Sequence, residues 1–442
     1  MSDLLYKEVA KSSILINKGR GVWLYDNKGN KYIDSCSGVG VSSLGHNHPA
    51  VIQAMIAESQ NITWVHAGSF TTEASEELAR FLVSRSNGLF KAQFLSGGSE
   101  AVELALKTAY QYHVENGKSS KKIFIARKQS YHGSTINTLS ISGNVHRRSI
   151  YENYFAPTEF VSPCYEYRDC LEGESTADYV ARLVNEFEKK ILDVGSDNVA
   201  GFIIEPVVGS TNGAVPACPL YLEKIHKICQ KYDVLLILDE VMCGMGRTGH
   251  IFSYLEDKIT PDIVVIGKGL AAGYQPLSAM LISKEIYESI ENGSGILNNG
   301  QTHVNHPFAC AIALCVQKTI EEENLITKSI TNGELIRRAI KENFSECDVI
   351  GDVRGRGSFI GIELVDNIEL KTPFDGGGDF VSNFKSCCLD NGLLAYPGKG
   401  TIDGKLGTHI LIAPPFVSNE EELNFMIKTL SLSLTTCINK NK

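Results

Sequence analysis

The chain lacks the marks of several common classes of protein. It holds no run approaching the roughly eighteen apolar residues of a membrane-spanning helix. Its opening stretch, MSDLLYKEVAKSS, places Asp, Lys and Glu where a signal peptide would need an apolar core. Twelve cysteines are present, yet no two form a CxxC pair. The closest spacings, Cys387-Cys388 and Cys310/Cys315, do not suit zinc, so no metal is expected. Positive charge is in deficit, with 42 Lys and Arg against 51 Asp and Glu and a net charge of −9. A nucleic-acid partner would call for a basic face instead. No repeat or low-complexity linker interrupts the chain. These absences point to free thiols in a reducing, cytoplasmic setting, with neither nucleic acid nor membrane as partner.

What is present is globular in character. The 442 residues are 43% apolar and 21% charged, enough for one large domain and a smaller one. GVWLYDNKGNKYID alternates apolar and polar residues around Asn27-Lys28-Gly29-Asn30, which predicts a hairpin. A helix is expected from about Pro49 to Ser59, with Val51, Ile52, Met55 and Ile56 on one face. From about 70 to 320, apolar runs alternate with helical stretches. The runs are AQFLS (92–96), KIFIAR (122–127), GFIIEP (201–206), VLLILDE (234–240), DIVVIGK (262–268) and SAMLIS (278–283). Most are apolar on both faces, as strands of a mainly parallel sheet covered on both sides should be. From about 321 the character changes to a charged helix, ENLITKSITNGELIRRAIKENF, and strands around FIGIELV and HILIAPP. A last helix should follow Ser418-Asn419-Glu420-Glu421, with a frayed tail at Asn439–Lys442. This stretch reads as a second, smaller α+β unit.

In open α/β sheets, ligands bind at the carboxyl ends of the strands. Ser96-Gly97-Gly98-Ser99 ends the first run, Glu205 ends GFII, Asp239-Glu240 ends VLLIL and Lys268 ends DIVVIG. Each alone is more often structural than catalytic; together they place two anions, a lysine and a glycine turn along one sheet edge. Gly98 and Ser99 precede a strong helix former, where backbone N–H groups and the helix dipole favour a phosphate. Simple capping by Ser99 is the plainer alternative. A lysine ending a buried strand must snorkel, pair or do covalent work. A carboxylate ending an apolar strand needs a partner. For Asp239 a protonated pyridine nitrogen would serve, as would an ion pair or a helix cap. Tyr131-His132-Gly133 follows IFIAR, where an aromatic ring could stack on a flat cofactor or pack in the core.

Nine motifs extend this pattern: LYDNKGNKYIDSCSGVGVSSLGHNHP, FLSGGSEAVELALKTA, SYHGST, IIEPV, LILDEVMCGMGRTG, PDIVVIGKGLAAGYQPLSAML, THVNHP, VRGRGSFIGIEL and LIAPPF. In this order, from about Gly19 to about Phe416, they resemble the class III, or ω-amino-acid-type, aminotransferases of the fold-type I pyridoxal-phosphate superfamily. The resemblance implies a large α/β domain with a mixed, mostly parallel seven-stranded sheet flanked by helices. A small α+β domain would come from both chain ends, giving residues 1–60 and 321–442 to the small domain and 61–320 to the large, cofactor-binding one. It implies pyridoxal 5'-phosphate held by Lys268 as a Schiff base, with Lys268 then moving the substrate proton. Asp239 would pair with the pyridine nitrogen, Val241 would pack against the ring, and Tyr131 would stack on its other face, with His132 in the same motif. Gly98 and Ser99 would bind the phosphate. Thr302 matches a threonine that reaches the phosphate from the partner subunit, so a homodimer, with a dimer of dimers as a further step, is implied.

The same resemblance implies transfer of an amino group from an amine or amino acid to a 2-oxo acid by a ping-pong mechanism. A racemase or aminomutase on the same scaffold is the alternative, and a non-catalytic relative a distant one. Glu205 matches a glutamate that, in the 4-aminobutyrate and ornithine enzymes, pairs with an arginine near the C-terminus. That arginine position falls here on Leu411, and no arginine follows Arg356. Pyruvate is therefore favoured over 2-oxoglutarate. Lys399 or Lys405 could supply a positive charge instead. Trp64, His66 and Phe70 lie in a segment that often lines the substrate pocket; core packing is the plainer account of Trp64 and Phe70. Arg247, Arg354 and Arg356 are expected to make structural ion pairs or brace loops.

Overall fold

The computed structural model describes residues 3–5, 13–345, 347–374 and 379–441. All six apolar runs form strands: Leu89–Leu95, Ile123–Arg127, Val199–Ile204, Leu235–Asp239, Ile263–Ile266 and Ser278–Ser283. The seventh strand that the resemblance implied is Thr158–Val161, which no apolar run marked. It is short, lies at the sheet edge and is fully buried only at Val161, so it carries no two-sided apolar signal. The sheet order is 89–95, 278–283, 263–266, 235–239, 199–204, 123–127, 158–161. Only Ser278–Ser283 runs against its neighbours. Six strands therefore point one way, and their carboxyl ends share an edge.

Alternate residues of each central strand pack on opposite faces. Leu236 and Leu238 join Tyr179, Phe187 and Phe202 on one side. Leu235 and Ile237 join Val102, Ala105 and Ile263 on the other. Burying each such side chain stabilises the fold by about 1.5–3 kcal/mol. This two-sided burial is why the runs are continuous rather than alternating.

The two chain ends share a sheet and a core. Strands Ile16–Arg20, Trp23–Asp26 and Lys31–Asp34 are joined by Leu393–Leu394. Asp26 closes the expected hairpin by accepting the Lys28 and Asn30 amides at 2.9 and 2.8 Å. Ile33 packs with Ile360, Ile410 and Leu430. Beside it lies an antiparallel sheet of Ile350–Arg356, Phe359–Asn367, Thr408–Ile412 and Tyr396–Lys399. The last helix, Glu420–Asn441, opens on a reciprocal box. Asn419 Oδ1 accepts the Glu422 amide at 2.9 Å, and Glu422 Oε2 accepts the Asn419 amide at 2.9 Å. The helix continues past Asn439, where fraying was expected, and Lys442 lies outside the described residues. In the helix Pro49–Glu58 only Val51 is fully buried, and Ile56 is exposed. At 100° per residue Ile56 sits about 140° round from Val51, off the packed arc. Among the described residues no helix is long and apolar enough to cross a membrane.

Buried arginines clamp the smaller part onto the sheet that holds the site. Arg247 donates to Pro414 O at 2.6 Å and to Ser358 and Ser37 Oγ, with its guanidinium over Phe416. These are hydrogen bonds to neutral oxygens, the loop bracing that was the alternative to an ion pair. Arg356 pairs with Asp257 at 3.1 Å. Glu363, with no exposed side-chain surface, takes Arg168 at 2.6 Å and Arg354 at 2.7 Å. Arg354 Nε also reaches Gly213 O at 2.9 Å, bracing the loop that follows Glu205. Glu363→Gln should lower stability by about 3–5 kcal/mol, because Arg168 stays buried without an anion and Arg354 keeps Asp352 alone. The urea unfolding midpoint reads this directly; an unmoved midpoint would show that the cluster does not clamp the fold.

Candidate active site

A cavity of about 560 Å³ opens at the carboxyl edge of the sheet. Its walls include Gly98, Ser99, Tyr131, His132, Glu205, Asp239, Val241 and Lys268. Eight of the residues singled out in the sequence thus meet in one place, from five separate segments of chain. Thr302, Trp64 and Phe70 do not line it. Trp64 and Phe70 are not core residues either, being 42% and 66% exposed. Trp64 Nε1 donates to Thr302 O at 3.1 Å, so these two sit together on the surface of the protomer.

At one end of the cavity the helix Gly98–Glu115 begins. Glu100 turns back to accept the Ser96 and Gly97 amides at 3.0 and 3.1 Å. That leaves the Gly98 and Ser99 amides as first-turn donors with no partner inside the helix. Ser99 Oγ accepts the Ser134 amide at 3.0 Å, so its own hydrogen is free to donate. A Cβ on Gly98 would come within 3.0 Å of Val241 Cγ1. Glycine is therefore what lets Val241 and the helix end share the cavity floor. Long helix, free amides and small residues make an anion cradle.

The other end is polar and buried. Asp239 Oδ2 lies 2.8 Å from His132 Nδ1, and Asp239 Oδ1 accepts the Val241 amide at 3.0 Å. His132 Nε2 is buried without a partner, so Nδ1 is the nitrogen that meets the carboxylate. Glu205 accepts the Tyr131 and Gly209 amides at 3.1 and 2.9 Å. Its burial pushes its carboxyl above the usual range. Lys268 sits past the strand Ile263–Ile266 with φ +42°, a conformation that L-residues seldom adopt. Burial holds its amine below the ordinary value of 10.5, against the pull of Asp239 and Glu205. The result is an amine more readily neutral than a surface lysine, as a nucleophile or proton acceptor needs.

The resemblance places a switch arginine at the position of Leu411. Leu411 has no exposed surface and lies in an apolar cluster with Val207, Met242 and Phe359. Lys399 and Lys405 do not line the cavity either. The cation that does, besides Lys268, is Arg147, which the sequence reading missed along with Tyr396 and Met242. Arg147 sits on a four-residue helix, Val145–Arg148, with no strand end or periodicity to mark it. Tyr396 comes from the C-terminal sheet, whose approach to the cavity only the tertiary fold reveals.

The residues present fit pyridoxal phosphate: an anion cradle for its phosphate, a buried carboxylate for its pyridine nitrogen and a desolvated lysine for its aldehyde. The architecture is that of the fold-type I transaminases. The ω-transaminase of Pseudomonas jessenii, solved in complex with PMP, superposes with a TM-score of 0.91 at 31% identity, over 97% of this chain and 93% of that one. The family model for class III aminotransferases matches residues 5–434, and the chain belongs to that family as a pyridoxal-phosphate-dependent transaminase. An uncharacterised aminotransferase of Schizosaccharomyces pombe is 38% identical, over 95% of this chain and 92% of its own. A chloroplastic gamma-aminobutyrate transaminase of Solanum lycopersicum is 34% identical, over 94% of this chain and 79% of its own.

Proposed function

We propose that the enzyme moves an amino group from an ω-amino acid or primary amine to a 2-oxo acid by a ping-pong mechanism, with pyruvate preferred over 2-oxoglutarate. The observation that carries the acceptor choice is Leu411. A second substrate carboxylate requires a second cation, and where the 4-aminobutyrate and ornithine enzymes place one this chain buries an apolar leucine. Kinship to ω-transaminases and a gamma-aminobutyrate transaminase supports the donor class.

When bound, pyridoxal phosphate supplies an electrophilic carbon for the donor amine and a sink for the electron pair released as the Cα–H bond breaks. The chain's own groups do the rest. The Gly98 and Ser99 amides and the Ser99 hydroxyl would hold the phosphate. Asp239, steadied by His132 and the Val241 amide, would keep a proton on the pyridine nitrogen. Val241 and Tyr131 would flank the ring. Lys268 would anchor the cofactor covalently, and its freed amine would take the proton from the substrate Cα and hand it on across the imine nitrogen.

We place the second protomer of a homodimer over the cavity mouth, with its Thr302 completing the phosphate site. Apolar side chains exposed at Phe70, Ile136, Ile150 and Tyr154 are available for such a partner to cover. Buried cysteines such as Cys36, Cys229 and Cys310 are free thiols, which suits a reducing compartment such as the cytoplasm.

The test is a panel of amines and ω-amino acids against pyruvate and 2-oxoglutarate. A donor alone should shift the cofactor absorbance band, and pyruvate should restore it faster than 2-oxoglutarate. Failure of every donor to shift the band would overturn the reaction; faster return with 2-oxoglutarate would overturn the acceptor.

A further inference from the structure

Arg147 is the one cavity-lining cation that the proposed chemistry does not use. Its guanidinium lies over the Tyr131 ring, 4.3 Å from the centroid. Among the described residues it makes no ion pair and its side chain makes no hydrogen bond. A guanidinium seated on an aromatic face spends that face on the ring and keeps its N–H edge free. Such an edge matches a planar carboxylate bidentately.

The backbone beneath Arg147 is fixed rather than loose. Its amide donates to Asn144 Oδ1 at 3.2 Å, the cap of the short helix. The Asn144 amide group reaches Gln129 Oε1 at 3.4 Å, and Gln129 Nε2 donates to Gly400 O at 2.6 Å. The loop carrying Lys399 and Lys405 thus props up the segment that presents Arg147, while neither lysine lines the cavity itself. Tyr131, which the resting guanidinium covers, is the residue assigned to the face of the cofactor ring. Arg147 lines the cavity and is itself exposed, so its charge stands where the cavity meets solvent. An ω-amino acid engaged through its amine at Lys268 would extend its carboxylate toward that side.

We infer that Arg147 anchors the distal carboxylate of the donor and so sets the preference for ω-amino acids over plain amines. This rests on the transaminase reading of the site. The guanidinium stays on Tyr131 when the donor has no carboxylate and turns its N–H edge to the anion when one is present. The site therefore admits both kinds of donor but favours the charged one.

The experiment compares, in the holoenzyme, an ω-amino acid that the wild type turns over with the amine in which a methyl group replaces the carboxylate. The pair 4-aminobutyrate and n-butylamine is an example. Single half-reactions followed by stopped-flow absorbance give kcat/KM for each donor. Arg147→Gln should reduce the ratio, ω-amino acid over amine, by about ten- to a hundredfold, the worth of a hydrogen bond to a charged group. Arg147→Lys keeps the charge without the fork and should recover part of that ratio. A ratio unchanged from wild type in both variants overturns the inference, even if both donors slow equally, because an equal loss is what a mere brace for Tyr131 would produce. If the wild type converts no ω-amino acid or amine of the donor panel, the transaminase reading fails instead, so the two failures are distinguishable.

Discussion

Replacing Lys268 with alanine should leave a folded protein whose turnover falls by at least about a thousandfold, since a positioned acid–base group alone contributes about 10²–10⁴-fold. The fold should survive for physical reasons. The lysine side chain is half-buried in the cavity, and desolvation disfavours its charged form, so truncation removes a cost as well as a contact. Its φ of +42° is as awkward for alanine as for lysine, so backbone strain does not change. The cofactor should still enter, held by the Gly98 and Ser99 amides and by Asp239, but it should wash out on dialysis without its covalent anchor. The wild type carries a matching pH signature. The neutral amine is the form that attacks a carbonyl and accepts a proton, and it prevails above the pKa of the folded state. Because that pKa is lowered, reconstitution of the apoprotein with pyridoxal phosphate should speed up with rising pH and level off below 10.5. Circular dichroism, absorbance and a turnover assay read these outcomes. Activity within tenfold of wild type in Lys268→Ala would remove the assignment.

The features legible in the sequence are those that the backbone alone determines. A strand buried on both faces must be apolar throughout, so Leu235–Asp239 and Ile263–Ile266 announce themselves, and the polar residue that ends each one marks the edge where ligands bind. Asp239, Glu205, Lys268 and the Gly98/Ser99 turn were found in that way. What stayed hidden depends on approach in three dimensions. Thr158–Val161 needs only a neighbour on one side, and its sequence shows no run. Tyr396 and Met242 reach the cavity because separate parts of the chain pack there. Arg147 belongs to a stretch, VHRRS, that reads as an ordinary basic surface, and only its seat on Tyr131 distinguishes it from Arg148, which packs on Phe155 and Phe160. Trp64 and Phe70 fail in the opposite direction. Aromatics invite assignment to a core or a pocket, yet in one protomer they belong to neither.

Asp239→Asn should lower kcat by about 10²–10³-fold while the protein stays folded and keeps its cofactor, the scale seen when one preorganised electrostatic group is removed. Asparagine has nearly the same shape. Its carbonyl oxygen can still accept either the Val241 amide or the His132 Nδ1–H, so the local packing around the 5% exposed side chain persists. What disappears is the negative charge. Without it nothing in the cavity floor favours a proton on the pyridine nitrogen, since His132 offers no anion and Glu205 is already committed to the Tyr131 and Gly209 amides. The ring then draws electrons less strongly, and proton removal from the substrate Cα slows. A rival account gives Asp239 only the task of orienting His132. Under that account asparagine, which still accepts a hydrogen bond from Nδ1, should cost little. The two accounts separate most clearly in a single half-reaction with deuterium at the substrate Cα. If the charge matters, the slowed step is the proton transfer, and the isotope effect should grow in the variant. A variant within a few-fold of wild type, with no larger isotope effect, would reduce Asp239 to a positioning group.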